Sequence, residues 1–167
     1  MVAFCIENLY QIKRLVSFIA DKDYQQQSEN LFNSTVGEHV RHILEFYDCL
    51  IDGIEDGEVN YDLRQRRKDL ETKTALVLTS IEEITAKLNQ ITEDKQLVLK
   101  VNYSKEPSHT TSIKTSVYRE LSYCLEHSVH HQALIKSALK EHDCLNLIEK
   151  EFGIAASTLR NRKACAQ

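Results

Sequence analysis

Residues 35–50 read TVGEHVRHILEFYDCL and predict the first turns of a long amphipathic helix. Thr35 followed three residues later by Glu38 is the pattern of a capping box, in which the two residues satisfy each other's backbone N–H groups. The apolar residues that follow at three- and four-residue steps are Val36, Val40, Ile43, Leu44 and Tyr47. We expect this helix to end near Asp56 and Gly57, where glycine supplies a stop signal.

The same periodicity recurs on both sides of this helix. It predicts further helices over residues 3–21, 70–91 and 116–140. Residues 21–33 are polar and rich in glutamine and indicate a connection, partly helical, whereas residues 59–73 indicate an ordered surface loop. One proline and four glycines in 167 residues favour long helices over many short strands. We therefore expect an all-α four-helix bundle that forms a single domain over residues 1–167.

Two shorter segments interrupt or follow these helices. Residues 97–115 begin with LVLKVNY, which is typical of a strand, and Lys105-Glu106-Pro107-Ser108 is turn chemistry, so a short β-hairpin is expected there. An irregular loop fits the same residues nearly as well. The C-terminal tail predicts a short helix near residues 144–151 and a final helical turn from Ser157 onward.

Charge and composition bear on location and partners. The formal net charge of −4 gives no electrostatic reason to expect a nucleic acid or an anionic membrane as a partner. No stretch approaches the roughly 20 apolar residues of a membrane span, and Glu7, Lys13 and Arg14 interrupt any apolar run that could act as a signal peptide. Five scattered cysteines without a C-x-x-C pair are typical of a reducing cytoplasm.

Five of the seven histidines lie in two short clusters, and helical geometry separates them. At about 100° per residue, His127 and His131 lie within about 40° of each other on one face. His130 points about 100° away from His131. One helix can therefore offer His127 and His131 together to a single metal ion.

A third ligand has to come from another helix. His42 is the better candidate, because apolar residues surround it on the predicted inner face. His39, three residues earlier, remains an alternative ligand or a partner that contacts a ligand from behind. Facing helices of a bundle can build such a centre. Three histidines leave coordination positions open for water or substrate.

Residues 35–45 and the downstream stretch 119–131, RELSYCLEHSVHH, resemble the DinB/YfiT-like superfamily of metalloenzymes. The resemblance implies a four-helix bundle, frequently a homodimer, that binds zinc or nickel through His42, His127 and His131. His42 matches better than His39, because apolar residues and an acid follow the family's first ligand. Characterised relatives include thiol transferases and isomerases that use low-molecular-weight thiols such as bacillithiol or mycothiol.

Such a centre could activate either a thiol or a water molecule, so thiol transfer and hydrolysis both remain open. Glu45 is the acid nearest the expected metal face, although most glutamates on helices are solvated. Cys124 lies one turn before His127 and could project near the pocket, or it could be a small core residue. The three arginines that could hold an anionic substrate, or simply be solvated, are Arg64, Arg66 and Arg67.

Two readings compete with an enzyme. Residues 147–163, LIEKEFGIAASTLRNRK, have the rhythm of a helix-turn-helix with Gly153 at the turn, as in a DNA-binding regulator. Against this, only five residues follow Arg162, and Phe152, Ile154 and Leu159 could equally cap the bundle. The domain could also bind a metal or small ligand without catalysing a reaction.

Overall fold

The computed structural model describes residues 1–106 and 109–165 and is mostly helical. Its α-helices are α1 (Val2–Phe18), α2 (Asp21–Gln25), α3 (Val36–Asp56), α4 (Thr74–Leu88), α5 (Val117–Glu141) and α6 (Ala156–Cys165). Its strands are β1 (Glu58–Val59), β2 (Gln96–Val101) and β3 (Thr111–Ser116), which form one small sheet. None of the helices in the described residues combines the length and apolar character that crossing a membrane requires.

The four long helices pack around a shared apolar interior. Helix α1 contacts α4 and α5, and α3 contacts the same two helices. The predicted capping box at the start of α3 is confirmed: Glu38 N donates to Thr35 Oγ1 at 3.1 Å, and Thr35 N donates to Glu38 Oε2 at 3.0 Å. The helix ends where predicted, because Gly57 adopts a left-handed conformation with a φ of 74°.

Two boundaries of the predicted long helices, the end of α1 and the start of α4, differ from the expected ones. Helix α1 stops at Phe18, because Ile19 and Ala20 are extended, and α2 then begins at Asp21. The third long helix starts at Thr74 rather than at residue 70, because residues 68–71 form a separate 3-10 turn. A helical period alone cannot distinguish such a turn from the first turn of an α-helix.

Strand β1 directly follows α3, and β3 leads directly into α5, whereas α4 lies in the chain between β1 and β2. Strands β2 and β3 pair antiparallel, from Gln96 opposite Ser116 to Val101 opposite Thr111. Of the predicted turn at 105–108, Pro107 and Ser108 lie outside the described residues. Strand β1, which the sequence did not predict, pairs parallel with β2. Two residues are too few to show the alternation that indicates a strand.

The C-terminal tail differs from the expected helix near residues 144–151. Only a 3-10 turn, Leu145–Leu147, forms there, and the expected final turn is the ten-residue helix α6. Residues 147–155 contain no α-helix, so α6 lacks the first helix of a helix-turn-helix. Phe152 is buried instead, with 2% of its surface exposed, as expected for a residue that covers the core.

Candidate metal centre

Helices α3 and α5 bring three imidazoles together. His42, His127 and His131 each offer one ring nitrogen, and these nitrogens all lie within 4.8 Å of one another. The Nε2 atoms of His42 and His127 are 2.8 Å apart. Imidazole ligands suit zinc, nickel, copper and iron alike. The cluster could therefore hold one divalent metal ion.

The spacing on α5 decides which histidines face the cluster. His127 and His131 stand one turn apart, with ring centroids 4.6 Å from each other. His130 is exposed and meets His131 only edge-on, at 5.4 Å between centroids. As expected from about 100° of rotation per residue, His127 and His131 share one face of α5 and His130 does not.

His39 lies behind the cluster rather than within it. Its Nδ1 atom is 2.8 Å from Nδ1 of His131, so one of the two nitrogens donates a hydrogen bond to the other. A histidine that ligates a metal commonly uses its second nitrogen in this way. His39 therefore contacts His131 from outside the three-histidine cluster.

Burial keeps these imidazoles neutral. Desolvation is the main cause that lowers the pKa of His42 to about 3, with the neighbouring His127 adding to the effect. Desolvation likewise lowers the pKa of His131 to about 3, followed by the influence of His42. The pKa of His127 is also lowered, again chiefly by burial. At neutral pH all three rings therefore carry the lone pair that a metal requires.

Aromatic side chains form a wall on one side of the cluster. Phe46 stacks on His127 with centroids 4.4 Å apart, and Tyr61 stacks on Phe46 at 4.8 Å. Tyr123 stacks on the same histidine at 5.6 Å. The Tyr61 hydroxyl donates to the buried carboxylate of Glu120 at 2.9 Å, which fixes the outer ring of the stack. The sequence did not indicate this aromatic wall, because no local pattern brings Tyr61 next to Phe46.

Segment 61–71, which is part of the predicted ordered surface loop, is attached to α3 through a buried carboxylate. Glu45, only 2% exposed, accepts a hydrogen bond from Arg64 Nε at 3.3 Å and another from Arg67 N at 2.8 Å. Arg41, one turn earlier on α3, adds an ion pair to Glu45 at 3.4 Å. The buried carboxylate therefore ties the segment to α3, because an unpaired charge at this depth would be costly.

The three candidate arginines have different surroundings. Arg64 is 9% exposed and sits against His42, with Nη2 at 3.3 Å from Nδ1. Arg67 reaches Asp48 at 3.6 Å, whereas Arg66 is exposed. Arg64 and Arg67 are thus engaged with acids of α3, so the interpretation of both as solvated surface residues is wrong.

Cys124 lies behind the aromatic wall and not in an open pocket. It is 1% exposed, and its Sγ atom contacts the Tyr61 hydroxyl at 3.6 Å and the Phe46 carbonyl at 3.8 Å. Burial raises the pKa of this thiol well above its usual range. Its surroundings are those of a small core residue rather than of a reactive thiolate.

The model of the DinB family matches residues 4–142. FK506-binding protein 5 of Rhizopus delemar is 32% identical over 111 residues, which are 63% of this chain and 28% of that protein. The chain thus spans little more than a quarter of the length of this curated relative. No solved structure matches the chain.

The family match extends from α1 to the end of α5 and includes both helices that carry the clustered histidines. Because that span is most of the chain, the chain belongs to the DinB family.

Proposed function

We propose that this protein is a metal-dependent enzyme that binds one zinc or nickel ion through His42, His127 and His131. The observation that carries the proposal is the convergence of three neutral, half-buried imidazoles from α3 and α5. We further propose that the reaction is thiol transfer or hydrolysis. This part draws on the resemblance to characterised members of the superfamily.

The surroundings of the cluster favour a nucleophile that comes from a bound small molecule. Bound to three histidines, a divalent metal keeps open positions and lowers the pKa of a coordinated thiol or water. Buried Cys124 is a poor alternative nucleophile, because its pKa is raised and the aromatic wall separates it from the imidazoles. The chain's own residues hold the imidazoles neutral, orient His127 by stacking and exclude water on the Phe46 side.

Several broader features belong to the same proposal. We take the four long helices to form the four-helix bundle of the family, as a single domain over residues 1–167. We expect a homodimer in the cytoplasm with a small-molecule substrate, such as a low-molecular-weight thiol, and no nucleic-acid or membrane partner.

Metal analysis of single variants tests the site. Protein produced without an affinity tag should contain about one zinc or nickel ion per chain. His42→Ala, His127→Ala and His131→Ala should each lower the affinity at least tenfold, because two imidazoles remain. His130→Ala is the matched control, since His130 lies on the same helix but is exposed. Unchanged metal content in all three variants would exclude the site.

Activity assays then separate the enzyme from a metal-binding module without catalysis. Zinc- and nickel-loaded protein should accelerate either thiol transfer to an electrophile or hydrolysis of an ester or amide. His127→Ala should abolish the acceleration. Tight metal binding without turnover in either screen would favour the non-catalytic alternative.

A further inference from the structure

The contact between Arg64 and His42 fixes the position of the His42 proton. A guanidinium group has only donors, so Arg64 Nη2 must donate to Nδ1 of His42 across their 3.3 Å separation. Neutral His42 then carries its proton on Nε2. That nitrogen lies 2.8 Å from Nε2 of His127, to which it donates. The hydrogen bonds thus run in one direction, from Arg64 through His42 to His127.

Arg64 is held firmly in this position. Its Nε donates to Glu45 Oε2 at 3.3 Å, and its Nη1 donates to the Tyr61 carbonyl at 2.9 Å. The guanidinium also lies 5.0 Å above the centre of the Phe46 ring. Because each nitrogen of the guanidinium has a partner, the donor that faces His42 belongs to a built arrangement and not to a loose side chain.

A metal on His42 Nε2 needs the opposite proton arrangement. Coordination takes the Nε2 lone pair, so the ring proton moves from Nε2 to Nδ1 and no proton is gained or lost. The Nδ1–H group then requires an acceptor, as in other metal-bound histidines. Arg64 offers another donor and a positive charge instead.

We infer that Arg64 competes with the metal for His42, and that metal binding requires the guanidinium to leave Nδ1. This inference rests on the proposed function, since it concerns the same three histidines. A cavity of about 170 Å³ adjoins Arg64 and is lined in part by Tyr61 and Tyr123, so the side chain has space to turn away. Segment 61–71 would therefore sense whether the metal is bound.

Three substitutions test the competition through zinc affinity, measured against a chelator. Arg64→Gln supplies an amide oxygen that can accept from Nδ1–H, and it should tighten zinc binding about tenfold or more, the scale on which partners of ligands act. Arg64→Lys keeps a donor and a positive charge, so its affinity should stay close to that of the unmodified protein. Arg66→Gln removes the same charge from an exposed position of the segment and should have little effect.

The tautomer of His42 is a second readout that needs no metal. Imidazole 15N spectra of the metal-free protein should show His42 protonated on Nε2, and Arg64→Gln should shift the population toward Nδ1–H. Weaker zinc binding in Arg64→Gln, or an equal gain in Arg66→Gln, would overturn the inference. So would an Nδ1-protonated His42 in the unmodified protein, even if the variants failed to fold. Absence of zinc binding by the unmodified protein would instead reject the proposed function, together with the competition that rests on it.

Discussion

Burial shifts the pKa values of two side chains of α3, His42 and Asp48, so that the neutral form of each is favoured. It lowers the pKa of the base His42 to about 3 and raises the pKa of the acid Asp48 to about 6. In both cases the charged form loses hydration that the fold does not fully replace. Arg67 lowers the pKa of Asp48 in the opposite sense, but burial outweighs it.

Asp48→Asn should therefore change stability in a way that depends on pH. Because the pKa is raised in the folded state, the fold favours the protonated form of Asp48. The resulting contribution to stability is complete below the unfolded pKa of 3.8 and is lost as the pH rises through about 6. The variant has no carboxyl group to ionise. Between pH 4 and pH 7 the unmodified protein should therefore lose stability that the variant keeps. The difference in the free energy of unfolding, variant minus unmodified protein, should increase by about 1–3 kcal/mol.

Urea unfolding at several pH values measures this difference. Asp56→Asn, at an exposed position of the same helix, is the control and should show a much smaller change. A difference for Asp48→Asn that stays constant with pH would show that burial does not shift this carboxyl group.

At the scale of elements, a close backbone contact joins the C-terminal tail to α5. Gly153 has a φ of 70°, and a Cβ atom added there would lie 2.5 Å from the backbone nitrogen of Ala133. Gly57, with a φ of 74°, has open space around the same position. The two glycines thus share a backbone conformation but differ in packing.

Alanine at each glycine separates conformation from packing. Gly57→Ala should cost about 1–2 kcal/mol, the strain of a left-handed conformation in a residue with a Cβ atom. Gly153→Ala should cost more, because the added methyl group also collides with α5. Chemical unfolding gives the two values, and hydrogen exchange should show α6 less protected in the Gly153 variant alone. Equal losses of stability in the two variants would contradict the close contact between Gly153 and Ala133.

At the scale of the whole molecule, a metal held by α3 and α5 would join two helices that are distant in sequence. Binding to the folded state alone stabilises a protein by about 2.7 kcal/mol when the free metal is at 100 times its dissociation constant. Zinc should therefore raise the melting temperature of the unmodified protein and of His130→Ala. It should leave that of His127→Ala nearly unchanged, and a chelator should reverse the shift. An equal shift in all three proteins would indicate binding elsewhere.

Several features of this protein could be predicted from short patterns in the sequence. Thr35 and Glu38 predicted the start of α3, because a capping box depends on residues three apart in the chain. The spacing of His127 and His131 predicted that they share a face, and membership of the DinB family is confirmed. The predicted helix near residues 144–151 was wrong, because eight residues contain too few helical periods to define a conformation.

Other features needed the folded chain. The stack of Tyr61 on Phe46, the pairing of β1 with β2 and the burial of Glu45 between arginines all join residues without a fixed spacing in the sequence.

The sequence by itself determined the approximate positions of the four long helices and which imidazoles share a helical face, because both follow from the fixed geometry of a single helix. The tertiary structure decided that His42 meets those imidazoles and that Arg64 stands behind it. It also decided their protonation, because hydration is lost only when separate parts of the chain close around a side chain.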